Sequence, residues 1–153
     1  MTILVRLQWI ALITALVGGA YCLAAQPADP LEPAKAERSP QKQLVARYLD
    51  GFNRGDHAQI LSCLTDDVEW DIPGMFHVRG QQDFDKQIEN DAFVGRPTII
   101  ESRLVEEGNV VVAEGTARAQ KKAGGELNVR FCDVFVFRDG RIAKLTSYLM
   151  EVK

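Results

Sequence analysis

The chain has 153 residues, 46% hydrophobic and 25% charged, with a formal net charge of −3. That fits one domain of ordinary size once the N-terminus is set aside, of the order of 100 to 150 residues. An acidic balance without a basic patch excludes nucleic acid as a partner.

In chain order, residues 1–25 read as a secretory signal peptide. Arg6 is the only charge, Leu7 to Leu23 is almost uninterrupted apolar sequence, and the small residues Ala24 and Ala25 follow. These are the charged, apolar and cleavage regions of an export signal. An uncleaved N-terminal membrane anchor is the alternative, since about 20 apolar residues can span a bilayer. Both readings place the domain beyond the cytoplasmic membrane, periplasmic or secreted. Residues 26–39 form a linker in which Pro27, Pro30 and Pro33 alternate with alanines and charges, a composition that builds no core.

The domain, residues 40–153, begins at a helix. Ser39 is a good N-cap and Pro40 suits the first helical position. Leu44, Val45, Tyr48, Leu49 and Phe52 fall at helical spacing, and Gly55 ends the run. Asp56 then opens a short second helix with Ile60, Leu61, Cys63 and Leu64 on its buried face. Thr65-Asp66-Asp67 reads as a turn, Val68 to Ile72 as a short strand stopped by Pro73-Gly74, and Phe76 to Arg79 as another. A third helix is predicted from Gln81 to about Asn90. After a break at Gly95-Arg96-Pro97, long strands follow over residues 98–106, 110–121, 126–138 and 141–150. Asp139-Gly140 is a strong hairpin signal between the last two. Helices first and an antiparallel meander after them make an α+β domain. Its three N-terminal helices pack on a strongly curved antiparallel sheet, a cone with an internal pocket.

The strand Asn128 to Phe137 carries the chemistry. Side chains alternate between faces, so Val129, Phe131, Asp133, Phe135 and Phe137 share one face. A carboxyl among four large apolar groups must find a partner, stay protonated, or adjoin a cavity. A structural bond to backbone or to an arginine such as Arg103 or Arg118 is the alternative role. Tyr48 is either a core aromatic or a polar contact to a ligand, and Trp70 either packs or forms a platform at a cavity mouth. Cys63 and Cys132 sit among apolar residues and read as buried free thiols, with a single bridge between them as the alternative. No Ser–His–Asp, Cys–His, phosphate-loop or zinc pattern is present, so no metal and no cofactor are expected.

The run of Ala46-Arg47-Tyr48, Gly55-Asp56, Thr65-Asp66-Asp67, Pro73-Gly74, Gly80, Gly108, Asp133-Val134-Phe135-Val136-Phe137 and Asp139-Gly140-Arg141-Ile142 resembles the nuclear transport factor 2-like superfamily. This is the SnoaL-like, ketosteroid isomerase-like fold, and the resemblance covers residues 40–152. It implies a homodimer paired through the outer sheet face. The isomerase branch implies that Tyr48 and Asp133 donate hydrogen bonds to an enolate-like oxygen. It also implies a general-base aspartate. Ile72 occupies that position in an ungapped alignment and Asp71 is the nearest acid, one residue early and so on the opposite face unless a bulge turns it inward. The candidate site is therefore Asp133, Tyr48 and Asp71 as catalytic residues, with Trp70, Ile72, Phe131 and Phe135 lining the pocket. The leading functional expectation is an exported domain binding a small, largely apolar or carbonyl-containing molecule. The alternatives are an isomerase- or cyclase-type enzyme and a non-catalytic dimerisation or partner-binding domain.

Overall fold

A computed structural model describes residues 38–152; the signal segment and most of the linker expected from the sequence lie outside them. Helix α1 spans Pro40–Arg54. The Ser39 hydroxyl accepts from the Lys42 amide at 3.2 Å, and Gly55 closes the helix in the left-handed region at φ 63°, which glycine enters without a Cβ penalty. Helix α2, His57–Ser62, is capped by Asp56, whose carboxylate accepts from the Gln59 amide at 2.9 Å. The two helices touch at Gly51, where a Cβ would stand 2.6 Å from Ile60 Cγ1.

The strands are β1 (Leu64–Ile72), β2 (Phe76–Arg79), β3 (Phe93–Glu107), β4 (Val110–Lys121), β5 (Glu126–Arg138) and β6 (Arg141–Glu151), with helix α3 at Gln81–Ile88 between β2 and β3. They form one six-stranded sheet in the order β2-β1-β6-β5-β4-β3. The sheet is curved and unclosed, with the helices on one side. Pairing is antiparallel as expected except between β1 and β6, which run parallel. Asp139 and Gly140 both adopt positive φ, 53° and 75°, the geometry a two-residue hairpin turn requires.

Two expected boundaries differ, besides helix α2 stopping at Ser62 so that Leu64, read from the sequence on its buried face, opens β1 instead. Thr65 to Asp67 continue β1 rather than forming a turn, and the irregularity appears as a register shift between Leu64 and Glu69. Likewise β3 passes through Gly95-Arg96-Pro97 with a register shift between Val94 and Thr98. Edge position explains the second difference. With a free outer side, β3 tolerates a proline that a central strand would not. Such shifts bend and twist the strands that carry them, which is how this sheet folds around its helices.

The core lies between the helices and the concave face of the sheet. Val45, Ile60, Phe84, Phe135, Ile142 and Leu145 are fully or almost fully buried there. Burying such a side chain stabilises the fold by about 1.5 to 3 kcal/mol. Cys63 is buried in this core, Cys132 is half-buried on β5, and both thiols are free.

Candidate functional site

The concave face of β5 reads Val129, Phe131, Asp133, Phe135, Phe137, all buried, while the residues between them are half-buried or exposed. Strand pairing places Asp133 directly between Ala113 of β4 and Ser147 of β6. Asp133 adjoins a cavity of about 110 Å3. Tyr48, Leu49 and Phe52 of α1 line the helix side, and Trp70 and Ile72 of β1 line one wall. Phe131, Ser147 and Leu149 contribute from β5 and β6, and Ile99 and Ala117 from β3 and β4. The space is slightly smaller than a benzene-binding cavity of about 150 Å3, so it holds roughly one small ring or a short chain.

Desolvation dominates the electrostatics. Asp133 is 8% exposed, and its pKa is pushed up to about 7, by burial first, with a hydrogen bond from Ser147 pulling the other way. Oδ1 of this carboxyl is buried with no hydrogen-bond partner. Leaving such an acceptor unsatisfied costs about 1 to 3 kcal/mol. Among the described residues, no cation lines the cavity. Arg103, an alternative ion partner for Asp133 on sequence grounds, instead pairs with Glu114 at 2.8 Å, where both side chains are exposed.

Tyr48 is 2% exposed. Edge-to-face contacts to Phe52 at 5.2 Å, Phe135 at 5.4 Å and Phe84 at 6.4 Å fix its ring. Burial raises its phenol well above the ordinary value, and the nearby charges of Asp133 and Cys63 add to that. The phenol is therefore an O–H donor throughout the physiological range. Trp70 stacks on Phe84 at 4.6 Å, and its indole N–H donates to Ser147 Oγ at 3.2 Å.

Of the residues assigned from the sequence, Asp133, Tyr48, Trp70, Ile72 and Phe131 meet at this cavity. Two do not. Asp71 lies on the opposite face of β1 from Trp70 and Ile72, where its carboxylate stands 3.8 Å from His77 Nδ1 with 37% of its side chain exposed. No bulge intervenes at this point, since Trp70, Asp71 and Ile72 pair with Val78, His77 and Phe76 in continuous register. The base implied by the resemblance is therefore outside the pocket. Phe135 is 0% exposed and packs edge-to-face against Tyr48, so it supports a wall residue of the cavity without lining it. Ser147 was missed. Its alternation with Leu145 and Leu149 puts it on the concave face, but an isolated serine in a strand carries no chemical signal.

The SnoaL-like domain model matches residues 45–145. The chain belongs to the SnoaL-like family. Solved structures share the fold of this SnoaL-like domain at low identity. An NTF2-like protein of unknown function from Burkholderia pseudomallei superposes with a TM-score of 0.67 at 21% identity, covering 74% of this chain and 92% of its own. An LEH-like epoxide hydrolase from M. tuberculosis gives 0.64 at 19% identity, covering 72% and 83%. TerC, co-crystallised with polyporic acid, gives 0.64 at 23% identity, covering 71% and 90%. No curated protein matches the chain significantly. At these identities the likeness is one of fold, and the site has to be read from its own residues.

Proposed function

We propose that this SnoaL-like domain binds a small, largely apolar molecule through one oxygen acceptor, such as a carbonyl or phenolic oxygen. The observation that carries the reading is the buried Asp133 carboxyl, with its Oδ1 unpartnered, in the same apolar cavity as the Tyr48 phenol. Below pH about 7 both groups are protonated, and two donors in a largely apolar pocket select an acceptor. An open cavity also favours binding over a purely structural domain, because Trp70 and Phe131 line the space without filling it. Proton transfer next to a carbonyl is the second reading, favoured by the poise of Asp133 near neutrality. Among the described residues, Asp133 and Tyr48 are the only titratable side chains lining the cavity, so a two-group isomerase scheme finds no separate base among them.

The test is calorimetric titration with 2-cyclohexenone and with a four-ring steroid enone. The reading expects the single ring to bind, and to bind more weakly in Asp133→Leu. If the small enone does not bind, or binds the Leu variant equally, the reading fails. Mass spectrometry of whatever co-purifies would then identify the natural occupant.

The same reading includes a homodimer through the convex face of the sheet. There Ile100, Tyr148 and Met150 are exposed and Arg130 and Glu114 line a groove with Cys132. Apolar groups with both charge signs make a self-complementary patch for a two-fold contact. Light scattering at tens of micromolar, a usual range for standard interfaces, should return twice the monomer mass; a monomer would remove this part. Export is proposed on the apolar N-terminal segment alone. N-terminal sequencing of native protein should begin near Ala25 or Gln26, and Met1 recovered from the cytosol would end that idea.

A further inference from the structure

The site contains one polar side chain that neither the family resemblance nor the proposed function uses. Ser147 lies between two fixed groups. On one side the Trp70 indole N–H, a donor with no acceptor capacity, points at Oγ from 3.2 Å. On the other, Ser147 is the direct cross-strand partner of Asp133. A serine hydroxyl has one proton to give. With Trp70 occupying a lone pair of the oxygen, that proton is left for another acceptor, and Asp133 is the carboxyl paired across the strand. Both ends of the relay are rigid. Trp70 is held between Phe84 at 4.6 Å and Phe76 at 5.0 Å, and Ser147 is 4% exposed on a central strand.

We propose that Ser147, held by Trp70, is the positioning residue of the site, orienting the Asp133 carboxyl and giving it a hydrogen bond that favours its charged form. The groups facing Asp133 are few. Tyr48 comes from α1, Ala113 from β4 and Ser147 from β6, and Cys132 precedes it on β5 with its side chain on the other face. Ser147 is the group among them that pulls the proton affinity of the carboxyl down against burial. The relay thus holds Asp133 close to the point at which it can keep or release its proton near neutral pH. This deepens the reading of the site as a donor pair, but its test needs no ligand and can fail separately from that reading.

The test follows the Asp133 carboxyl carbon by NMR through a pH titration in four proteins. In Ser147→Ala the midpoint should rise by about one pH unit, a roughly tenfold gain in proton affinity. In Ser147→Thr, which keeps the hydroxyl, it should return to within a few tenths of the wild-type value. In Trp70→Phe the rise should be smaller, because the serine keeps its proton but loses its anchor. Amide spectra establish that each variant is folded. An unchanged midpoint in Ser147→Ala, or a threonine variant that titrates like alanine, overturns the proposal. Should Ser147→Ala not fold, Trp70→Phe decides alone, and a midpoint equal to wild type rejects the relay.

Discussion

Asp71 and Asp133 lie on strands separated only by β6, and their partners there are consecutive residues, Thr146 and Ser147. One step along a strand reverses the face. Asp71 consequently sits partly exposed beside His77, whereas Asp133 is buried and its pKa is pushed up to about 7. The two side chains are chemically identical. What separates a surface charge from a candidate donor is strand parity, which sets how much water each carboxyl loses.

Inward positions of β5 should matter far more than outward ones. Phe135→Ala, at a fully buried site against Tyr48, should lower unfolding stability in urea by about 3 to 5 kcal/mol. A loss below about 1 kcal/mol would mean that the concave face is not the core.

Next in size is the pH dependence that Asp133 imposes. Its folded pKa is raised from 3.8 to about 7, so above pH 3.8 the folded state binds more protons than the unfolded state, and stability falls as pH rises. The contribution is complete at acid pH and is lost progressively between the two values, a loss of the order of 4 kcal/mol by pH 8. Asp133→Asn should remove this slope, becoming more stable than wild type at pH 8 relative to their order at pH 4. Parallel stability curves for the two proteins would contradict the burial of a neutral acid.

The smallest effect belongs to the other aspartate. Asp71→Asn should shift stability by no more than about 0.5 kcal/mol, as for surface substitutions generally, and leave the affinity for 2-cyclohexenone unchanged. A tenfold loss of affinity would show that the outer face of β1 reaches the ligand after all.

Much of the fold was legible because local signals and tertiary packing agree. Ser39, Pro40 and Gly55 mark the ends of α1, alternation marks β5, and Asp139-Gly140 marks the last turn. The polar run Thr65 to Asp67 was misleading, since its residues favour turns but here extend a strand whose irregularity is absorbed in a register shift. Within the site, parity was enough to separate Asp133 from Asp71. Depth was not encoded. Phe131 and Phe135 share a face, yet Phe131 reaches the cavity and Phe135 packs against Tyr48 of α1, a residue of a different element far away in sequence, a contact that no strand pattern announces. Ser147 was illegible for a related reason, because its significance comes from Trp70, bonded to it from another strand.

That bond closes a gap of 77 residues, and the parallel pairing of β1 with β6 makes the same long connection. Long-range closure is entropically costly and comes late in folding. A growing chain cannot assemble the cavity until its last strand has been synthesised. Until then Asp133 is an ordinary hydrated carboxylate at neutral pH. When β6 docks and excludes water, the carboxyl draws a proton from the surroundings, so completion of this domain is itself a proton-uptake event.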